Sequence, residues 1–255
     1  MFGWRGVKGK SSATVGYNAS MKFLGSVEQR FLKGVLILSG LDVALYLVRV
    51  AVTGSWRYYF MIENLILAWL PLIFSWWLIR RLLRQRWWHW PNVILTVLWL
   101  VFLPNTWYVL SDYVHLEPTG QISELYDVVM IAALVFVGFI LGFASLYIVH
   151  RQLRKRYGEV AAAWLIAGVL LLSSFAIYLG RDLRWTTLDI VKNPTGLILN
   201  VTDRLLHPLT YLRAFTTTGL FFVFLGLMYL AFWQWFRPPS HTPRQPASRP
   251  SRLHR

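Results

Sequence analysis

The sequence predicts an all-α, polytopic membrane protein, a bundle of about six transmembrane helices with both termini in the cytoplasm. Three observations carry that reading. Of 255 residues, 56% are hydrophobic and only 15% charged, where a soluble domain has about 45–50% apolar and about 25% charged residues. The apolar residues gather in six segments, each long enough to cross about 30 Å of hydrocarbon, which takes roughly 20 helical residues. The basic residues crowd the connections on one side of that arrangement only, as cytoplasmic loops do.

The six segments lie at 34–53, 60–79, 91–110, 126–149, 160–179 and 214–236. Each is too long and apolar for an ordinary strand. A segment in hydrocarbon must satisfy its own backbone hydrogen bonds, so each is a helix. Residues 1–30 form a basic, Gly- and Ser-containing segment, expected to be loosely ordered. They lack a short apolar core and a small-residue cleavage site, so no cleaved signal peptide is expected. Residues 31–236 form the membrane domain. The tail 237–255 sets Pro238, Pro239, Pro243, Pro246 and Pro250 among Arg and Ser, a disordered composition.

Orientation follows from sorting the charges. Lys and Arg flank the start of the first span, Arg80, Arg81, Arg84 and Arg86 follow the second, and Arg151, Arg154, Lys155 and Arg156 follow the fourth. Arg237, Arg244, Arg249, Arg252 and Arg255 follow the sixth. The opposite side mixes Arg49, Arg57, Arg181, Arg184, Lys192, Arg204 and Arg213 with Asp112, Glu117, Glu124, Asp127, Asp182, Asp189 and Asp203. The excess of Lys and Arg marks the first side as cytoplasmic, in a plasma membrane. It accounts for the net charge of +15 and predicts contact with anionic lipid, about 1 kcal/mol per basic residue near the surface. No nucleic-acid motif accompanies the charge, so nucleic-acid binding is excluded. The absence of cysteine excludes disulfides, thiolate metal sites and cysteine nucleophiles. Nothing in the sequence assigns an oligomeric state.

The outer connections differ in length. The first, 54–59, is short, the second, 111–125, is moderate, and the third, 180–213, is long. A long loop in a compact domain is more often functional. Within it Asn193-Pro194 is a helix start. Leu197, Ile198, Val201 and Leu205 follow at helical spacing, so a short amphipathic helix is expected at the outer interface.

Two polar clusters sit at the outer ends of spans. The third span runs into Phe102-Leu103-Pro104-Asn105, where Pro104 must kink or restart the helix. If helix resumes, Asn105, Tyr108, Asp112 and His115 share one face. Asp112 and His115, three residues apart, can converge on one metal ion or act as a base and its orienter. They can equally cap and solvate a helix end, since two ligands do not make a metal site. After the fifth span, Arg181 and Arg184 form a fork suited to a phosphate or carboxylate. Asp182, Trp185 and Asp189 make a second stripe. Arg181 and Arg184 either pair with Asp112, Glu117 or Asp189 to lock the outer loops, or hold an anionic ligand such as a lipid headgroup.

Inside the first span, Asp42 shares a helical face with Tyr46 and Arg49, and Glu63 begins the second span. A bare carboxylate at mid-bilayer costs at least about 2.5–3.5 kcal/mol, so Asp42 must face the bundle or carry a proton. A buried polar tie and a proton or ion pathway through Asp42, Arg49 and Glu63 are the two readings. Trp76, Trp77, Trp87, Trp88 and Trp90 at one end, with Trp56, Tyr58 and Tyr59 at the other, read as interface anchors. Gly138 and Gly142 give a small-xxx-small spacing that permits close helix packing. No phosphate loop, hydrolase elbow or metalloprotease helix is present.

Three stretches together resemble the multi-pass family called domain of unknown function 1361. Asn64-Leu65-Ile66-Leu67-Ala68-Trp69-Leu70-Pro71 is similar to its Asn-Leu-x-Leu-Ala-Trp-x-Pro span. Phe102-Leu103-Pro104-Asn105, with Asp112 and His115-Leu116, resembles its Phe-x-Pro-Asn…Asp-x-x-His-Leu signature. Gly180-Arg181, Arg184-Trp185 and Asp189 resemble its Gly-Arg-x-x-Arg-x-x-x-x-Asp loop, although Thr186-Thr187-Leu188 stands where Asn-Ser-Trp is usual. The resemblance implies an integral membrane protein without a known activity. It groups Asn105, Asp112, His115, Arg181, Arg184 and Asp189 into one outer-face site. The expected function is binding or processing of an anionic, lipid-linked ligand there, with a divalent metal as candidate cofactor. A secondary transporter using Asp42 and Glu63 and a non-catalytic assembly subunit are the alternatives.

Overall fold

The computed structural model describes residues 12–111, 122–183, 194–207 and 210–236. The proline-rich tail, Asp112, His115, Arg184 and Asp189 lie outside these residues. The described elements are α1 (Ser12–Thr53), α2 (Phe60–Leu82), α3 (Trp90–Phe102), α4 (Asn105–Tyr108), α5 (Glu124–Tyr157), α6 (Glu159–Leu183), α7 (Pro194–Leu206) and α8 (Leu212–Phe236). Among the described residues there is no strand. Six segments are long and apolar enough to span a bilayer: Gln29–Thr53, Phe60–Leu82, Trp90–Ser111, Glu124–Tyr157, Glu159–Arg181 and Leu212–Phe236. The expected spans fall inside them. The α1 helix begins at Ser12, in the stretch expected to be loosely ordered, and no proline interrupts the chain from there to Thr53.

The α5 helix is the hub. Most of its apolar window is buried, against a third or less of each other span. On one side α1 and α2 pack against it, and on the other α6 and α4 do, with α8 leaning chiefly on α6. The core divides accordingly. Tyr46, Met61, Leu65, Leu72, Met130 and Leu134 belong to one cluster, and Trp99, Trp107, Phe143, Ile166, Leu225 and Trp233 to the other. Large apolar side chains elsewhere remain exposed, such as Ile37, Val52, Leu172, Leu220 and Leu227. An outward apolar surface of that kind suits lipid rather than water.

Glycine closes two helix ends. Gly54, at φ +64°, follows α1 and donates to Val50 O at 2.8 Å; Gly158, at φ +85°, turns α5 into α6 and donates to Arg154 O at 3.0 Å. Both use the left-handed region that favours glycine. The helix ends at Thr53, Phe60, Tyr108, Glu124, Leu183 and Leu212, which border the longer connections in the sequence, define one end of the bundle, the loop-rich end. The short turns 83–89 and 158, with Arg81, Arg84, Arg86, Arg154, Lys155 and Arg156, mark the basic end.

Candidate functional site

The third span breaks where proline removes a donor. Pro104 sits in helical geometry at φ −58° and ψ −29°. Its ring nitrogen cannot bond back one turn, so the chain tightens. Thr106 N–H donates to Leu103 O at 3.1 Å and Trp107 N–H to Pro104 O at 3.1 Å. Helix resumes as α4 and ends in a 3-10 turn over 109–111. Ser111 Oγ donates to the Tyr108 carbonyl at 2.6 Å, holding that turn closed. Asn105 and Tyr108 are half-buried within this piece.

The glycine spacing on α5 explains how α4 sits so deep. A Cβ at Gly138 would collide with the Thr106 carbonyl oxygen, and one at Gly142 would collide with Thr106 Oγ1 and meet Trp107 Nε1 at 2.8 Å. The backbone of α4 therefore lies directly on α5, with Thr106 and Trp107 fully buried. From there α4 also reaches α6. Its polar residues thus come to the end of the bundle where Arg181, half-buried, closes α6. In the sequence, Asp112 follows Ser111, the last described residue after α4, and Arg184 follows Leu183, the last of α6.

The α7 part of the long connection is latched to α6. The α7 helix forms where Asn193-Pro194 and the periodic apolar residues predict it. Arg204, buried although charged, donates from Nε to Tyr178 Oη on α6 at 3.2 Å. Its Nη1 bonds the Asn200 carbonyl and side-chain oxygens at 2.8 and 3.0 Å. The guanidinium lies over the Tyr211 ring at 4.9 Å, and Tyr211 Oη donates to Asp203 Oδ2 at 2.6 Å. That hydrogen bond, aided by His207, holds the Asp203 carboxyl below its ordinary value. The same bond raises the Tyr211 phenol above its ordinary value.

A second polar centre joins α1 to α5. Arg49 has no exposed surface and forks onto Asp127, Nε to Oδ1 at 2.8 Å and Nη2 to Oδ2 at 3.3 Å. Its guanidinium lies 4.2 Å from the Tyr58 ring centroid. Burial, then the Asp127 carboxylate, pushes the Tyr58 phenol above its ordinary value, while Arg49 pulls it down. Asp42 is buried two turns deeper on α1, and Glu63 is exposed on α2. The partnership with Asp127 was not visible in the sequence. Its members are 78 residues apart, and helical periodicity compares only neighbours on one helix. The one available signal was charge: an arginine and an aspartate each lay just inside an apolar window at the same end.

The basic end holds a third feature that sequence reasoning missed. A cavity of about 620 Å³ opens between α6 and α8, lined by His150, Arg154, Ile166, Leu170, Tyr229 and Trp233 among others. His150 stacks on Trp233 at 4.0 Å, and its Nδ1 lies 2.9 Å from Tyr229 Oη. Arg154 pairs with Glu159 across the α5–α6 turn. This cavity contains none of the motif residues. Among the described residues no group of three or more His, Asp or Glu could hold a metal ion.

Six membrane-length helices define a multi-pass membrane bundle. The chain belongs to the family described as Protein of unknown function (DUF1361), which matches residues 63–231. That stretch runs from the start of α2 into α8 and includes all three quoted motifs. No curated protein and no solved structure matches the chain.

Proposed function

We propose that this protein binds, and through Asp112 and His115 processes, an anionic lipid-linked ligand at its loop-rich end. The observation that carries the reading is the seat of α4 on Gly138 and Gly142. Span order brings the Asn105–Ser111 segment and the Arg181 end of α6 to one end of the bundle, and that seat holds the segment against α5 beside α6. In this reading Arg181 and Arg184 hold the anion, for which a guanidinium fork is the fitting donor. Asn105 and Tyr108 orient it. Asp112 and His115 bind a divalent metal or move a proton, with Asp189 assisting. The loop-rich end faces outward and the basic end faces the cytoplasm of a plasma membrane, where its Lys and Arg meet anionic lipid.

The test is native mass spectrometry of the protein purified from membranes, wild type beside Asp112→Ala and Arg181→Ala. A bound mass that both variants lose is the expected result, and its value identifies the headgroup or metal. A clean apo mass in the wild type, or a bound mass kept by both folded variants, overturns the reading in favour of a structural subunit or a transporter.

A further inference from the structure

The α1 helix buries a polar stripe. Ser39, Asp42, Tyr46 and Arg49 recur at intervals of three and four residues, and all four are at most 8% exposed. Such spacing puts them on one face, with Asp42 and Arg49 about 10 Å apart along the axis. The two ends of the stripe are tied down. Ser39 Oγ accepts from Trp69 Nε1 at 3.2 Å, and Arg49 forks onto Asp127. The middle is not. Both carboxyl oxygens of Asp42, the Tyr46 hydroxyl and Arg49 Nη1 are buried without a hydrogen-bond partner among the described residues.

That concentration needs a physical account, because buried polar groups in folded proteins are nearly always bonded. An isolated buried carboxylate is costly, and an ionisable group inside a membrane domain marks a proton or ion path by default. We propose that Asp42 is a proton-binding site within the bundle. Tyr46 and the Arg49–Asp127 pair form the route by which protons reach it from the loop-rich end. The step is an acid–base exchange. A proton leaves hydronium at the loop-rich end, passes along bound water and the Tyr46 hydroxyl, and forms an O–H bond on one Asp42 oxygen. The reverse step returns it to water.

The charged and titratable surroundings favour this path. On α1 these are Tyr46 and Arg49. On α5 they are Asp127, neutralised by Arg49, and Tyr126, whose hydroxyl donates to the Leu45 carbonyl at 2.7 Å. The connection to α2 supplies Tyr58 against the Arg49 guanidinium. Glu63 and Arg57 at this end are exposed. No cation among these groups is placed to pair with Asp42, since Arg49 is committed to Asp127. The inference stands apart from the anionic-ligand reading, which uses other residues and other helices.

Infrared difference spectroscopy of the full-length protein in phospholipid vesicles tests it. The wild type should show a carboxylic C=O band that titrates with pH and shifts in D2O. Asp42→Asn should abolish that band, and Glu63→Gln should leave it intact. Tyr46→Phe should keep the band but slow its deuterium exchange by roughly tenfold, the kinetic equivalent of one hydrogen bond removed from the route. If Asp42→Asn fails to fold, Asp42→Glu should move the band instead. No titrating band in the wild type, or a band that survives Asp42→Asn, overturns the proposal. Exchange unchanged in Tyr46→Phe overturns the route.

Discussion

The loop-rich end is held by two latches built from the same parts in different surroundings. In the first, Arg49 lies over Tyr58 and forks onto Asp127, with side-chain exposures of 0% and 5% for the charged pair. In the second, Arg204 lies over Tyr211, while Asp203 takes its hydrogen bonds from Tyr211 and His207, and its side chain is 48% exposed. Each uses an arginine, a tyrosine ring and an aspartate. In the first, arginine and carboxylate meet directly, and each depends on the other because neither reaches water. In the second the arginine is buried but satisfied by neutral oxygens of Tyr178 and Asn200. The carboxylate keeps its hydration. The comparison teaches that solvent access, more than the residue types, sets what such a latch contributes.

The largest expected effect comes from breaking the buried latch. Arg49→Ala strands the Asp127 carboxylate in a dry site and should destabilise the bundle by about 3–5 kcal/mol. Removing both charges together, Arg49→Leu with Asp127→Leu, should restore most of that loss, since a buried pair replaced by packed apolar groups is often neutral. Chemical unfolding in mild detergent measures both. If the double variant is as unstable as the single one, the pair contributes more than mutual neutralisation, and the contrast with Arg204 sharpens.

A third attachment at the same end uses no charge. The Thr106 backbone rests on Gly138, and any Cβ there collides with a backbone carbonyl rather than with the end of a flexible side chain. Gly138→Ala should cost about 1–3 kcal/mol by overpacking, read as a lowered Tm. Gly219→Ala, where nothing lies within 4 Å of the added carbon, should cost nothing. A tolerated Gly138→Ala would show α4 to be only loosely seated and would weaken the functional reading with it.

How much of this was legible in the sequence depends on the range of the physics. Each span could be read alone, because a membrane helix satisfies its own backbone and needs only length and apolarity. The α7 helix could be read from Asn193-Pro194 and four apolar residues, and the break at Pro104 from one missing donor. These are local causes. The partner of Arg49 could not be read, because nothing within α1 points to α5. The glycine pair was legible as a close-packing site, yet its partner, the α4 backbone, was not. Of the candidate site, the arrival of Asn105, Tyr108 and Arg181 at one end follows from span order alone. Their seating depends on Gly138, a contact made across the fold.

The smallest effect expected is at the exposed latch, and it carries a pH signature. Hydrogen bonding from Tyr211 holds Asp203 below its ordinary 3.8. A lowered carboxyl stabilises the fold fully above that value, and the contribution fades as pH falls through the lowered one. The same bond raises Tyr211 above its ordinary 10.0. A raised phenol contributes fully below that value, and its share fades as pH climbs through the raised one. Wild type should therefore protect α7 from hydrogen exchange slightly better than Tyr211→Phe across the neutral range. The difference, taken between the two proteins at each pH, should shrink in strong acid and in strong base. A difference that is absent at neutral pH would mean water satisfies Asp203 as well as the phenol does. One as large as the Arg49→Ala effect would mean the second latch is shielded like the first, and solvent access would no longer separate them.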